Sequence, residues 1–247
     1  MKKLGLRAYI QKNRRSETAV EDQNWQIVDY LLSLDAGKKY SLLEVGSGFC
    51  TLPKMIKEKC PNISITCIEK NPHLAQVARD EGFAVINEDV LSANTLTEYD
   101  IVNCSHLIEH FGYPAVTQLL DKLVSWTKNR GILIIVTPLM SEIFYNDIDH
   151  VRPYPPTAIM NYFRYEQQQK KSLVGDLQVE KLWYRRGPRQ LPDLTTHSFL
   201  WPLPIIHKLY TKVFKRLLNR LFVRSWYNLR WPATYPDAYV MISRVKK

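Results

Sequence analysis

Glu44, Gly46 and Gly48 stand where the apolar run Leu42-Leu43-Glu44-Val45 breaks into Gly46-Ser47-Gly48-Phe49-Cys50. Glycines admit positive φ and let a backbone approach a ligand that a Cβ would hold off. A carboxylate inside an apolar strand end is costly unless paired, so Glu44 calls for a cationic or amine-bearing ligand. Glu69 closes a second apolar run, Ile63–Ile68, about 20 residues past the glycines, where dinucleotide-type folds hydrogen-bond ribose hydroxyls. Glu88-Asp89-Val90 follows a third run, Phe83–Ile86, and Asp89 can accept from an adenine amino group. The nicotinamide fingerprint wants a third small residue where Thr51 stands, so a different adenosine-bearing ligand is expected. Plainer roles exist for each acid: Glu44 on turn amides, Glu69 solvated, Asp89 as a helix cap or Asx-turn.

Proton chemistry has its own candidates. The run Tyr99-Asp100-Ile101-Val102-Asn103 ends in Cys104-Ser105-His106-Leu107-Ile108-Glu109-His110, bringing Ser105, His106, Glu109 and His110 to one rim. A neutral imidazole accepts a proton near pH 7. Asp147-Ile148-Asp149-His150-Val151-Arg152-Pro153-Tyr154-Pro155-Pro156 adds a third histidine on a backbone stiffened by prolines, with Arg152 as a grip for an anionic group. The bland alternatives are packing or capping for the histidines and an Asp149–Arg152 pair.

Glu44, Gly46 and Gly48, Glu69 and Asp89, in this order, resemble the motifs of class I S-adenosylmethionine-dependent methyltransferases. Their first motif ends in a third glycine, where this chain has Cys50. The resemblance implies a cofactor site of Glu44, Gly46, Ser47, Gly48, Glu69, Asp89, Val90 and Ser105, with Glu44 on the methionine ammonium, Glu69 on the ribose and Asp89 at the adenine. Methyl transfer then needs alignment of nucleophile, methyl and sulfur, plus proton removal when the acceptor is a hydroxyl. His106, His110 and His150 are the catalytic candidates. The rim is similar to the Glu-x-x-Glu-His of quinone-pathway O-methyltransferases, which is associated with a divalent metal. His106 replaces the first Glu, which weakens a magnesium site because that ion prefers oxygen, and a metal is left open. The Asn/Asp-Pro-Pro-Tyr signature of base-amino methyltransferases is absent.

These residues need a scaffold that gathers strand ends. Strands at 41–45, 63–68, 83–86, 99–103 and 131–136 alternate with helices at 52–59, 71–80 and 114–128, followed by a helix near 156–168 and strands at 177–183 and 238–243. Alternation predicts an α/β, Rossmann-like doubly wound sheet of seven strands, mostly parallel with an antiparallel C-terminal edge strand. A helix over 16–36, with Trp25, Val28, Leu31 and Leu32 on one face, would cap it. The expected organisation is a single methyltransferase domain over 1–247, with a helical cap at 1–39 and a helical insertion at 187–235.

With 247 residues and 45% hydrophobic content, the chain can bury one full core. It has no apolar run long enough to span a bilayer and no apolar region behind its basic start, so a cytosolic protein is expected. Four cysteines without a Cys-x-x-Cys pair predict buried thiols. The net charge of +10 is localised: residues 1–180 carry 20 Lys and Arg against 22 Asp and Glu, whereas 181–231 carry 11 Lys and Arg against Asp193. Within that segment, 205–221 reads as an amphipathic basic helix, with Leu209, Val213 and Leu217 opposite Lys208, Lys212 and Lys215 and with Trp201 and Trp226 as flanks. Its lack of acids favours a peripheral, anionic membrane surface over core packing or nucleic acid. The expected activity is O-methylation of a small or lipid-linked acceptor, such as a polyprenyl phenol or glycan. RNA methylation and a non-catalytic scaffold are the alternatives.

Overall fold

The computed structural model describes residues 15–94, 97–141, 144–164, 171–188 and 234–247. By internal contacts the chain divides into two compact units, residues 1–185 with 238–247, and residues 186–237. Most of the second unit, with the basic segment expected to be helical at 205–221, lies outside the described residues, as do residues 1–14.

In chain order the elements are α1 (Arg15–Leu32), β1 (Tyr40–Val45), α2 (Thr51–Lys59), β2 (Ile63–Ile68), α3 (Pro72–Asp80), β3 (Ala84–Ile86), β4 (Tyr99–Ser105), α4 (Ala115–Trp126), β5 (Thr127–Pro138), α5 (Pro156–Arg164), β6 (Asp176–Pro188) and β7 (Thr234–Lys246). They build a seven-stranded sheet in the order β3-β2-β1-β4-β5-β7-β6. Strands β1 to β5 run parallel, and β7 pairs antiparallel with β5. β7 lies inside β6, so β6 forms the outer edge on that side.

The central strands are apolar along their length because both faces are covered. Leu43, Val45, Val102, Cys104, Leu133 and Ile135 bury one face with Leu119 and Leu123 of α4 and Ile159 and Phe163 of α5. The alternate residues Leu42, Ile101, Ile132, Ile134 and Val136 bury the other face with Ile27, Val28 and Leu31 of α1 and Leu52 and Ile56 of α2. α1 ends at Leu32, earlier than expected, and its buried side includes Ile27, Tyr30, Gln23 and Asn24, while Trp25 and Leu32 are exposed. Asn71 caps α3, its side chain accepting from the His73 and Leu74 amides, and Pro72 takes the first turn, where no donor is missed. Every loop that follows β1 to β5 emerges at the same edge of the sheet, which gathers the Gly46–Cys50 turn, Glu69, Asp89, Ser105–His110 and the Pro138–Pro156 loop.

Candidate active site

Gly46 (φ +76°), Gly48 (φ +50°) and Cys50 (φ +58°) all adopt the left-handed conformation between β1 and α2. Cys50, in place of a third glycine, takes the same backbone region, so the alternating path of the turn is kept at some strain. The turn is tied to β2 and the segment after it. Gly46 N–H donates to Ile68 O at 2.9 Å, and Gly48 N–H donates to Glu69 Oε2 at 3.0 Å. The other oxygen of Glu69 accepts from Asn71 N–H at 2.9 Å. Glu69 therefore braces the glycine turn against α3, and each oxygen keeps a lone pair for a hydroxyl donor.

Two features of this turn fit an adenosine-bearing, amine-bearing cofactor. A Cβ built on Gly48 would meet nothing within 4 Å, so the backbone borders open space. Beside it Glu44 is buried, and burial pushes its carboxyl up from 4.5 to about 8, against the opposing hydrogen bond from Asn103. Parallel pairing puts Glu44 level with Asn103, whose Nδ2 donates to both carboxylate oxygens at 2.9 Å and lies 3.0 Å from Ser105 Oγ. With the amide nitrogen facing the carboxylate, Asn103 Oδ1 is a buried acceptor without a partner, as is Ser47 Oγ. A buried carboxyl beside orphaned oxygens is the environment an ammonium group satisfies. Asp89 Oδ1 accepts from Leu91 N–H at 2.9 Å in an Asx-turn, and Oδ2 lies 3.4 Å from Lys70 Nζ, so Asp89 braces its own loop. Val90 beside it is buried.

The histidine rim joins the turn directly, since a Cβ on Gly46 would lie 3.3 Å from Leu107 Cδ2. His110 ends a 3-10 turn, Ile108–His110, and His150 follows the Phe144–Asn146 turn. Their rings stand edge-on with centroids 5.0 Å apart. Each Nδ1 faces a main-chain carbonyl, His110 toward Asp149 O at 3.2 Å and His150 toward Phe144 O at 2.7 Å. A carbonyl only accepts, so Nδ1 carries a hydrogen in both rings, while Nε2 of His150 lies 3.7 Å from Asp147 Oδ2. Glu109 holds the two loops together: its carbonyl accepts from Val151 N–H at 2.9 Å and Arg152 N–H at 3.2 Å. Its side chain is fully buried, with Oε2 accepting from Thr137 Oγ1 at 3.0 Å.

His106 stands apart from this pair, with Nε2 3.3 Å from buried Gln23 Oε1 and Nδ1 3.4 Å from Glu109 Oε1, without hydrogen-bond alignment at the latter. It also has positive φ (+52°), which re-aims the chain at the end of β4. Asp149 faces His110 at 3.4 Å, and Arg152 lies over the Tyr154 ring at 5.8 Å. Sequence reasoning missed Asn103, Gln23 and Thr137 as supports. A polar residue within an apolar strand was the available signal for Asn103 and Thr137.

A family model described as "Methyltransferase domain" matches residues 43–133, which hold the glycine turn, Glu69, Asp89 and the His106–His110 segment. This part of the chain is a methyltransferase domain. The cofactor of this methyltransferase is S-adenosylmethionine. It is 29% identical over 113 residues to malonyl-[acyl-carrier protein] O-methyltransferase from Acetivibrio thermocellus, a match covering 43% of this chain and 38% of that protein's length. The methyltransferase shares its fold with a SAM-dependent methyltransferase from Archaeoglobus fulgidus (18% identity, 98% and 100% of the two chains, TM-score 0.57). It also shares it with the N-methyltransferase NodS from Bradyrhizobium japonicum WM9 (10% identity, 94% and 99% covered, TM-score 0.57), which is also solved in complex with S-adenosyl-L-homocysteine.

Proposed function

We propose that the protein methylates a hydroxyl of a small or lipid-linked, largely apolar acceptor close to an anionic membrane surface. The observation that carries this reading is the His110–His150 pair, whose rings stand 5.0 Å apart with both Nδ1 atoms engaged by carbonyls, so that the Nε2 atoms are the positions left for an acceptor's proton at the rim of the cofactor turn, that of His150 beside Asp147. When bound, the cofactor supplies an activated methyl group on a cationic sulfur. Glu44, Asn103 and Ser47 hold its amino acid end, Gly46 and Gly48 give it room, Glu69 takes the ribose hydroxyls, and Asp89 with Val90 borders the adenine. The proton of the acceptor hydroxyl leaves at the His110–His150–Glu109 cluster, with His106 steadying Glu109.

The loops around the pair support an apolar acceptor. Tyr113, Met140, Tyr145, Ile148 and Val151 are all exposed, Ile148 at 99%. Carbonyl and proline constraints fix the His150 loop while its outer side offers apolar contact. The name of the Acetivibrio relative, an O-methyltransferase, also supports an oxygen acceptor. No described helix is long and apolar enough to cross a membrane. Membrane proximity rests on the basic, aromatic-flanked segment 205–221. Incubating the protein with methyl-labelled S-adenosylmethionine and a fractionated cell extract tests the reading. Label in the organic-extractable fraction supports it; label in RNA, or none at all, replaces it with the RNA or scaffold alternative.

A further inference from the structure

We propose that Gln23 selects the acceptor: its side-chain Nε2 donates to a carbonyl or carboxylate oxygen that the acceptor carries beside the hydroxyl to be methylated. Gln23 lies on α1 and is only 2% exposed. Its Oε1 accepts from Arg185 Nη1 at 3.2 Å and faces His106 Nε2 at 3.3 Å. A guanidinium only donates, so the atom turned toward it is the oxygen, and the amide nitrogen takes the other arm. That nitrogen is a buried donor without a hydrogen-bond partner among the described residues. Leaving a buried donor unpaired is costly, and an accepting oxygen removes the cost.

Three elements bring this amide to the rim. His106 follows β4 with 39% of its side chain exposed, Arg185 stands near the end of β6, and Gln23 reaches both from α1. The sheet order separates acceptor from cofactor. Gly46 and Gly48, Glu69 and Asp89 follow β1, β2 and β3, whereas β6 closes the opposite end of the sheet, beyond β4 and β5. Gln23, held between His106 and Arg185, therefore meets the rim from the side away from the residues assigned to ribose and adenine. The proton-accepting cluster is reached from the same point, because His106 Nδ1 lies 3.4 Å from Glu109 Oε1. An acceptor with its hydroxyl at His110 or His150 can thus place a second oxygen at Gln23.

Donor chemistry sets the preference. An amide N–H₂ only donates, so it holds an oxygen that only accepts, and a hydrocarbon group in the same place leaves the donor buried and unpaired. Sites built to hydrogen-bond a substrate group reject analogues that lack it far more strongly than apolar pockets reject an added group. The inference rests on the proposed methylation of a hydroxyl, and the contact at Gln23 is measured separately from the atom that receives the methyl.

Gln23→Leu and Gln23→Glu test it in the full-length protein, with the acceptor isolated from the organic-extractable fraction as the compound that takes up label. Leucine removes the donor, while glutamate keeps an oxygen toward Arg185 and puts an acceptor where the donor stood. Gln23→Leu should raise KM for the acceptor about tenfold or more. Gln23→Glu should raise it at least as much, and should Gln23→Leu unfold, Gln23→Glu takes its place. Calorimetric affinity for S-adenosylmethionine and the circular dichroism spectrum should not change, and the infrared and mass spectra of the product should show a carbonyl or carboxylate. An unchanged acceptor KM, a product without either group, or a loss of S-adenosylmethionine affinity, which would assign the amide to the cofactor, each overturns the role of Gln23. A methyl on oxygen with an unchanged KM leaves the O-methylation reading standing and Gln23 rejected. A methyl on nitrogen of a carbonyl-bearing acceptor whose KM rises in Gln23→Leu does the reverse, and absence of any transfer rejects both.

Discussion

Asn103 Nδ2 donates to both oxygens of Glu44 at 2.9 Å, and both residues are buried. The amide cannot neutralise the acid, so burial still dominates and the Glu44 carboxyl stands near 8 rather than 4.5. The folded protein thus holds this proton more tightly than the unfolded chain. Glu44's contribution to stability is most favourable below pH 4.5, falls as pH rises from 4.5 to 8, and is fully lost above 8. At roughly 1.4 kcal/mol per pKa unit the effect amounts to several kcal/mol. Glu44→Gln should raise the melting temperature of the cofactor-free protein at pH 8.5, with little change at pH 5, while weakening S-adenosylmethionine binding. Differential scanning calorimetry at the two pH values checks this, and a lower melting temperature at pH 8.5 would count against the buried, unpaired acid.

The same acid gives a proton signal on cofactor binding. An ammonium beside Glu44 drives its proton off, so binding at pH 7 should release close to one proton per chain, because a group of pKa near 8 is mostly protonated there. Calorimetry in buffers of different ionisation enthalpy reads that number. Release should vanish in Glu44→Gln, and equal release in wild type and variant would place the ammonium elsewhere.

Glu69 accepts from the amides of Gly48 and Asn71 and is assigned the ribose hydroxyls. Hydrogen bonds to a charged group contribute roughly 1.5–3 kcal/mol each, so Glu69→Ala should reduce cofactor affinity well over tenfold. Glu69→Gln, which keeps one accepting oxygen and turns the other into a donor, should fall between. Titration calorimetry with unchanged affinity for Glu69→Ala would remove Glu69 from the ribose site.

Loss of His110 or His150 should act on turnover rather than on cofactor affinity. His110→Gln or His150→Gln is expected to lower kcat by about 10²–10⁴-fold, since proton removal commonly contributes that much. Two fully active variants would mean transfer by alignment alone.

Membrane attachment through 205–221 needs both charge and apolar area, at about 1 kcal/mol per basic residue near an anionic surface. The protein should float with anionic vesicles at low salt and less at high salt. Phe214→Asp with Leu217→Asp should abolish flotation, and Lys212→Glu alone should only weaken it. Retained flotation with loss of folding in the double variant would assign the segment to the core.

Much of this architecture was legible because the central strands β1 and β4 are buried on both faces over most of their length and announce themselves as apolar runs. Polar Lys128-Asn129-Arg130 hid the start of β5, which pairs from Thr127 nonetheless. In α1 the buried arc was misplaced, since Gln23 and Asn24 are buried while Trp25 is not. Glu44 stood out as an acid among apolar residues, but its partner Asn103 is 59 positions away and is set by strand register. The His110–His150 contact depends equally on a long-range link, the Glu109 carbonyl receiving the Val151 and Arg152 amides, which no local pattern encodes.

The fate of the methyl group tests the central claim most directly. With carbon-13-labelled S-adenosylmethionine and the organic-extractable acceptor fraction, nuclear magnetic resonance of the product should show a methyl bonded to oxygen, formed by the wild type and strongly reduced by His110→Gln. A methyl on nitrogen, or undiminished product from His110→Gln, would contradict hydroxyl activation at the His110–His150–Glu109 cluster.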